Sequence, residues 1–416
     1  MAGWQRTLVI MSIAQLLSAL GFSMVFPFLP NYVGELGSAW GLSTVFLAGA
    51  VFSFQAITMM FTSPIWGAVA DRVGRKPMVL RAMLGGAVIL ALQAGASSAE
   101  ELVLWRTLQG IVTGVISANS ALVASVTPRH RSGFALGTLQ TALTSGVALG
   151  PLVGGILADN FGYRVAHVIT AGLLLVGSLL VMFGVKEDFK PPKNARRLNG
   201  MLADWVHVFR TPGVSLTFLA RFSAWLARGV LVPVLPLFVP FIVLSGQNLA
   251  TYTGLVIGVA AFTSTLSAVY LGNLGDRIGH RPVLIVSAFA AAVVHVPMGF
   301  VTEPWQLVAL NALVGIAVGG VMPSLSAMLN VATDSNEIGS AFGLDNAVVA
   351  ASRAVAPLLG VGVAAMLGAG EFGYRTVFWV AGLLFIGVML LGFRMTPQAP
   401  EDDEGSSGTP ASAQAG

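Results

Sequence analysis

The sequence has no cysteine and little charge. Of its 416 residues only 22 are basic and 18 acidic, whereas a soluble protein of this length carries roughly 100 charged residues. The lack of cysteine excludes a disulfide-stapled scaffold. The low charge, together with 55% hydrophobic residues and a mean hydropathy of +0.81, excludes a disordered chain and a soluble enzyme. The composition is that of a protein embedded in a membrane.

The hydrophobic residues fall into stretches that are each close to the ~20 residues a membrane helix needs. We number these twelve stretches as spans 1 to 12, near residues 8–30, 43–66, 78–96, 102–126, 134–158, 165–185, 213–240, 253–275, 283–301, 305–332, 340–367 and 375–394. Span 1 follows a basic residue, as a signal peptide does. It lacks a convincing cleavage site, however, and we expect it to remain a helix of the mature chain. The sequence therefore predicts an all-α polytopic membrane protein.

The chain contains two polar segments, one that divides it into halves and one that follows the second half. A basic connector occupies 186–212, and an acidic tail rich in serine, glycine and alanine occupies 395–416, where we expect disorder. The spans are thereby grouped into an N-terminal six-helix half, 1–185, and a C-terminal six-helix half, 213–394.

Lysine and arginine fall mostly on one side of the predicted membrane. If both termini lie on the same side, that side receives 16 of the 22 bases, and the other side receives only Arg164 and Arg375. Because basic loops are retained in the cytoplasm, both termini are predicted to be cytoplasmic. The bases thus act as anchors spread over loops, and the sequence pI of 9.7 does not indicate a nucleic-acid surface.

The two halves resemble each other in sequence. Four segments recur in the same order at offsets of 205 to 211 residues, namely 26–30 with 232–236, 67–77 with 272–282, Pro151 with Pro357, and 161–164 with 372–375. Four ordered matches indicate a duplication. Two parallel repeats with a site between them are typical of transporters that work by alternating access.

The loop between spans 2 and 3 carries the most specific motif, and the loop between spans 8 and 9 carries a weaker copy. The motif residues are Gly67, Asp71, Arg72, Gly74 and Arg75, and those of the copy are Asp276 and Arg277. Gly67 permits close backbone approach, Gly74 permits a tight turn, and Asp71 can face a helix N-terminus. The simplest interpretation is a basic cytoplasmic turn. The loop, however, resembles the signature loop of the major facilitator superfamily, in which the matching aspartate engages the start of span 11 and stabilises one conformation.

Span 5 contains a string of small residues. Its members are Gly146, Gly150, Pro151, Gly154 and Gly155. A glycine at every fourth position makes a flat face for helix packing, and the proline bends the helix. A packing face alone would explain the glycines. The whole string resembles the antiporter motif of the drug/proton antiporter branch of the superfamily, which implies export instead of uptake.

Charged residues inside spans are costly in lipid and are therefore candidate functional residues. Asp345 in span 11 is the one acid predicted within a span, and span 1, where many drug exporters carry an acid, has none. Arg106 in span 4 is similar to a family arginine that is linked to proton coupling. We expect Asp345 to carry the proton, with Arg106 tuning it or the substrate. The alternatives are that Asp345 caps its helix or pairs with an arginine, and that Arg106 reaches outward to the membrane surface.

Three further arginines are predicted inside the spans, and two of them, Arg228 and Arg353, lie near the middle of the membrane. Arg221 and Arg228 in span 7 share one helix face because they are seven residues apart, and Arg353 lies in span 11. They either pair as structural groups or form an anion site, since guanidinium binds phosphonate and carboxylate in a bidentate manner. Phe26 and Trp225 are candidates for the wall of an apolar drug cavity.

The sequence thus predicts a major facilitator transporter that exports small drug-like molecules across the inner membrane in exchange for protons. The alternative function is transport of a physiological organic anion, such as a phosphorylated metabolite or sugar derivative. A membrane enzyme has little support, because the sequence offers no nucleophile with a base and no phosphate-binding loop. We expect a monomer in the bilayer with a small-molecule substrate and protons as partners, and with no metal, cofactor or nucleic acid.

Overall fold

The protein is described by a computed structural model that covers residues 3–112, 114–187, 189, 213–243, 248–333 and 338–395. Most of the predicted connector and nearly all of the predicted tail lie outside these residues. Within them the fold is helical and contains no β-strand. The predicted all-α membrane fold is confirmed.

The helices account for all twelve predicted spans within the described residues. Ten helical stretches are long and apolar enough to cross a membrane; one of them contains both spans 5 and 6, and span 4 consists of two shorter helices. In span order the helices are Gly3–Met24 with Leu29–Leu36, Thr44–Val73, Arg75–Ala94, Ala99–Val112 with Val115–Val126, Ser132–Gly184 for spans 5 and 6, Val214–Gly229 with Val234–Phe238, Leu249–Ile278, His280–Met298, Pro304–Gly319 with Val321–Ala332, Ile338–Met366 and Glu371–Arg394.

Glycines with positive φ separate several spans. Gly162 (φ 82°) divides the long helix into its two spans. Gly74 (φ 104°) and Gly279 (φ 92°) occupy equivalent turns in the two halves, between spans 2 and 3 and between spans 8 and 9. A side chain at such a φ would be strained, which explains why the loop motif and its copy both retain this glycine.

Every third span is discontinuous. Span 1 is interrupted around Pro27, span 4 at Gly114 (φ 130°), span 7 around Pro233 and span 10 at Gly320. Proline removes a backbone donor and glycine tolerates a break in helical geometry. Discontinuous helices surround the substrate site in many transporters that are built from repeats, so these four spans are expected to line the transport path.

The halves touch at only one end of the described molecule. We call the membrane face that carries both ends of the described chain the terminal face, and the other the opposite face. Spans 2 and 11, and spans 5 and 8, form most of the contacts between halves, and the second helices of spans 1 and 7 also touch. Near the opposite face, Gly49 and Gly155 lie against the other half, whereas nearer the terminal face Gly67, Gly137 and Gly272 meet no atom of it. The cleft between the halves therefore opens toward the terminal face.

Candidate transport site

The closed end of the cleft is built from two equivalent glycine–proline contacts. A Cβ added to Gly254 in span 8 would overlap the carbonyl group of Pro151 in span 5, and a Cβ added to Gly49 in span 2 would lie 3.1 Å from the carbonyl oxygen of Pro357 in span 11. Both pairs are related by the sequence repeat. The duplicated prolines thus mark two equivalent places where the halves approach each other closely.

The glycine string of span 5 packs against two partners. Gly146, Gly150 and Gly154 lie against the backbone of span 1, where a Cβ on any of them would overlap main-chain atoms. Gly155, on a different face of the helix, lies against Ala250 at the start of span 8. The string therefore closes the N-terminal half internally and also forms part of the contact with the C-terminal half.

One turn beyond this string, Asp159 connects the halves through hydrogen bonds. Its carboxylate accepts from the backbone N–H of Ala250 at 3.1 Å and of Thr251 at 2.7 Å. These are the first amides of span 8, so the negative charge also interacts favourably with the helix dipole. We call this arrangement the Asp159 cap. The sequence analysis missed it, because the partner amides carry no side-chain signal and come from the other half.

Asp345 forms a buried ion pair with Arg221. Arg221 donates from Nε to the carboxylate at 2.8 Å and from Nη2 to Ser326 Oγ at 2.9 Å, and the two charged residues are 5% and 7% exposed. Asp345 lies seven residues after the helix start at Ile338, which places it roughly 10 Å into span 11. Of the two alternatives considered above for Asp345, the structure shows pairing with an arginine. Asp345 lies too deep in span 11 to cap its own helix.

Arg106 lies apart from Asp345, inside the N-terminal half. It is 2% exposed, so its side chain faces inward and does not reach the membrane surface. Its Nη1 donates to Gln109 Oε1 at 2.9 Å, and the same oxygen accepts from Gln93 at 3.0 Å. In the described part of the chain no carboxylate lies within ion-pair distance of Arg106. Direct tuning of Asp345 by Arg106 is thus not present in this conformation.

Arg228 and Arg353 share one aromatic partner. Their Cζ atoms lie 5.5 Å and 4.4 Å from the ring of Trp225, within the range of cation–π attraction. Both guanidinium groups are exposed although they lie in the middle of their spans, and they form no hydrogen bond or ion pair with any described residue. The indole Nε1 is buried and has no partner. We call these three residues the Arg–Trp–Arg group.

The other two predicted substrate residues lie elsewhere. Arg221 is committed to Asp345, and Phe26 packs against Phe52 at 5.8 Å in the core of the N-terminal half, at the interruption of span 1. Of the five predicted substrate residues, the structure thus brings together Arg228, Arg353 and Trp225.

The bases of the loop motif and its copy act within their own halves. Lys76 donates to the carbonyls of Met182 and Val185 at the end of span 6, at 2.8 and 2.6 Å. Arg281, its counterpart, donates to the carbonyls of Gly392 and Phe393 at the end of span 12, at 3.1 and 2.7 Å. A cation at a helix C-terminus compensates unpaired carbonyls and the helix dipole. Each loop therefore holds the last span of its half in place.

The remaining motif residues divide between local contacts and open space. Arg75 donates to the carbonyl of Ala121 at 2.9 Å, Asp276 pairs with His280 at 3.0 Å, and Arg72 and Arg277 are exposed. A Cβ on Gly67 would meet no atom within 4 Å, so the expected close approach is not made in this conformation. The side chain of Asp71 lies outside the description, and its contact with span 11 stays a prediction.

A carboxylate that the sequence analysis missed completes the loop between spans 2 and 3. Glu187, just after span 6, accepts from the first amides of span 3, Arg75 N at 2.9 Å and Lys76 N at 2.7 Å. Its place as an acid at the start of the basic connector, directly after an apolar span, was the available signal.

Fold and sequence both assign the class of protein. The model of the Major Facilitator Superfamily matches residues 11–249 and 217–415. Two solved structures share the fold: a bacterial homologue of the human lysosomal transporter Spinster in an inward-facing, occupied conformation (TM-score 0.79, 13% identity, 96% of this chain and 99% of that one) and the nucleoside transporter NupG (TM-score 0.78, 14% identity, 94% and 98%). The chain belongs to the major facilitator superfamily, and it is a transporter and not an enzyme.

Among characterised relatives, the chain is similar to the multidrug resistance protein MdtG. The proteins of that name from Salmonella typhimurium strain LT2 and Salmonella newport strain SL254 are each 36% identical to it over 389 residues, which cover 93% of this chain and 94% of the relative. The predicted resemblance to drug exporters of the superfamily is confirmed at the level of sequence.

Proposed function

We propose that this transporter exports small drug-like molecules from the cytoplasm in exchange for protons. The terminal face would be cytoplasmic, since it carries most of the bases, and transport would proceed as residues 1–185 rock against residues 213–394. Similarity to proteins named for multidrug resistance supports the substrate class. The glycine string of span 5, which packs against both spans 1 and 8, supports an exchange cycle in which the opposite face must close tightly.

The observation that carries proton exchange is the ion pair between Asp345 and Arg221. A buried ion pair is stable only while both partners are charged, because removal of one charge leaves the other buried and uncompensated. Protonation of Asp345 therefore releases Arg221 and the hydrogen bond to span 10 at Ser326. A proton can in this way change the packing of spans 7, 10 and 11 around the cleft, which is what coupling requires.

The test compares Asp345→Asn with Glu371→Gln in proteoliposomes. Glu371 also pairs with an arginine, Arg375 at 2.7 Å, but this pair is exposed at the opposite face. We expect Asp345→Asn to lose the acceleration of ethidium transport by a pH gradient while ethidium counterflow, which needs no net proton movement, continues. Glu371→Gln should behave as the parent protein. Gradient-driven transport that survives in Asp345→Asn would refute the role of this pair.

A second candidate function is the transport of an organic anion, and the Arg–Trp–Arg group favours it. Two exposed guanidinium groups without a carboxylate partner in the described residues provide both charge and bidentate donors. The double variant Arg228→Gln/Arg353→Gln would then lose counterflow of anionic substrates and keep counterflow of ethidium. Equal loss of both activities would instead assign the two arginines a structural role.

A further inference from the structure

The N-terminal half contains a buried cluster of polar side chains that the exchange mechanism above does not use. Its members are His167 in span 6, Tyr32 in span 1, Gln93 in span 3, and Arg106 and Gln109 in span 4. Gln93 and Arg106 both donate to Gln109 Oε1. The Tyr32 hydroxyl donates to the backbone carbonyl of Gln93 at 3.3 Å, and the rings of Tyr32 and His167 are 5.3 Å apart. We call these five residues the His167 cluster.

Several polar atoms of the His167 cluster are buried without a partner. They are His167 Nε2, Arg106 Nη2, Gln93 Oε1 and Gln109 Nε2. The residues that carry them are at most 2% exposed. Buried polar atoms are almost always satisfied by protein or by internal water. Gln93, Arg106 and Gln109 are joined by hydrogen bonds, and His167 contacts this group through the ring of Tyr32. Unsatisfied polar atoms on these neighbouring residues are what a site that binds a proton would offer.

The hydrogen bond of His167 fixes which nitrogen is free. Its Nδ1 lies 2.8 Å from the backbone carbonyl oxygen of Tyr163, and because a carbonyl only accepts, Nδ1 carries the hydrogen. Nε2 of the neutral ring then has a bare lone pair, and this is the atom without a partner. Imidazole is the side chain whose unperturbed pKa lies closest to physiological pH, so the free lone pair is a proton acceptor in the middle of the cluster.

The charged and titratable groups around His167 come from three spans. Arg106 of span 4 is the charge that acts on the ring, Tyr32 comes from span 1, and Tyr163 belongs to its own helix; span 3 contributes the uncharged Gln93. Farther toward the opposite face, a pocket of about 540 Å³ is lined by Tyr163 and by Glu35, Asp159 and Arg164.

The pocket and His167 are separated by one helical turn. Tyr163 lines the pocket and also holds His167 through its carbonyl, and the spacing of four residues corresponds to roughly 6 Å along the helix. His167 itself is 0% exposed while the cleft is open to the terminal face. Tyr163 therefore links His167 to a pocket near the opposite face, and this is the side from which an exporter driven by protons must receive them.

We propose that His167 is a proton-binding site of the transport cycle, loaded from the opposite face; this proposal rests on the proposed proton exchange. A hydronium ion in the pocket gives its proton to Nε2, where an N–H bond forms and the imidazole becomes an imidazolium ion. This second positive charge beside Arg106 repels it. The repulsion favours a different packing of spans 1, 3, 4 and 6, and the proton leaves to water once that packing exposes the ring to the terminal face.

His295 in span 9 is a matched control for His167. It is 1% exposed and its Nδ1 lies 2.7 Å from the carbonyl of Ala291, also four residues earlier. Its ring, however, packs against Phe385 at 5.4 Å and beside Gly382, and no unpartnered polar atom of the described residues belongs to these neighbours. The two histidines share burial and hydrogen bonding and differ in the polar cluster.

The experiment uses the full chain in lipid vesicles and has two measurements. Nitrogen-15 NMR of the five histidines, assigned with His167→Asn and His295→Asn, reports protonation directly. Asparagine is chosen because its amide nitrogen can replace Nδ1 in the bond to the backbone. Ethidium transport with and without a pH gradient reports coupling. We expect His167 to take up a proton as the pH is lowered and His295 to stay neutral. In transport, His167→Asn should lose the gradient's effect and keep counterflow, while His295→Asn keeps both.

The outcomes separate this proposal from the proposed function. If His167 stays neutral over the whole range, or if His167→Asn retains gradient-driven transport, the proposal is overturned even though exchange itself stands. If the parent protein shows no response to a pH gradient, proton exchange is wrong, whatever His167 does. His167→Gln provides a second uncharged variant should the asparagine variant fail to fold, and the NMR titration of the parent protein tests proton binding without relying on either.

Discussion

Removal of the Asp159 cap should open the opposite face. The cap joins the end of span 5 to the first amides of span 8, and it exists only while the two halves touch there. In Asp159→Ala both acceptors are lost, whereas the amides of Ala250 and Thr251 become accessible to water when the halves separate. The substitution therefore destabilises the conformation that is closed at the opposite face and leaves the other conformation unaffected.

The size of the effect follows from the chemistry of the cap. Loss of a capping carboxylate at a helix N-terminus costs about 0.5–2 kcal/mol, and the interaction of the charge with the helix dipole is of a similar order when the group is partly buried. Asp159 is partly buried, so we take about 1–2 kcal/mol. This free energy changes the ratio of the two conformations by a factor of roughly 5–30.

The absence of native cysteine makes the measurement direct. Spin labels on cysteines introduced at Ala91 and Trp305 would report the separation of the halves, since both residues are exposed and lie near the opposite face in different halves. In Asp159→Ala we expect a larger population of long distances between the labels, measured by double electron–electron resonance.

Glu100 provides the matched control for the Asp159 cap. Its carboxylate accepts from the amides of Ala39 and Trp40 at 3.0 and 3.1 Å, at the same face but entirely within the N-terminal half. Glu100→Ala should leave the distance distribution unchanged. An unchanged distribution in Asp159→Ala, or an equal change in Glu100→Ala, would contradict the argument that the cap acts by joining the halves.

Two further substitutions test the contacts between and within the halves. Gly254→Leu should also populate long distances, because its Cβ would overlap the Pro151 carbonyl and overpacking costs about 1–3 kcal/mol; Gly362→Leu, where a Cβ meets nothing within 4 Å, should not. Lys76→Met should lower the unfolding temperature, because it removes two hydrogen bonds to the end of span 6 that together contribute about 1–2 kcal/mol. The exposed Arg72→Met serves as its control, and an equal loss in both would refute a specific role for Lys76.

The spans and turns followed from the sequence because each depends on local composition. Runs of apolar residues predict helices, and Gly74 and Gly279 predict turns, whatever surrounds them. The glycine string of span 5 was also recognisable, since its spacing is a property of one helix. Its division into a face for span 1 and a face for span 8 was not, because that depends on how the halves meet.

The charged contacts were harder to predict for the same reason. Asp345 and Arg221 were both identified as intramembrane charges, but 124 residues separate them, and nothing local distinguishes Arg221 from Arg228 as the partner. The distinction is geometric. Arg221 lies two helical turns before Arg228 in span 7, beside Ser326 and Asp345, whereas Arg228 packs on Trp225. His167 was missed because an isolated histidine in an apolar span carries no pattern; only the unpartnered atoms around it single it out.

The buried charged groups have different partners in the two halves. In the described C-terminal half, the acid Asp345 neutralises Arg221, while Arg228 and Arg353 pack on Trp225 and have no ion-pair partner among the described residues. In the N-terminal half, Arg106 is buried and its partners are uncharged, namely Gln109, the Val51 carbonyl and the Phe52 ring. A buried charge without a counter-charge is tolerated only when nearby dipoles and water stabilise it, so any proton added to the His167 cluster must be strongly disfavoured unless the spans around it move. The same proton added at Asp345 removes the counter-charge of Arg221, which leaves a buried positive charge uncompensated and also favours movement of the surrounding spans. A proton at either site thus leaves excess buried positive charge in its half, so a single species would favour repacking in both halves.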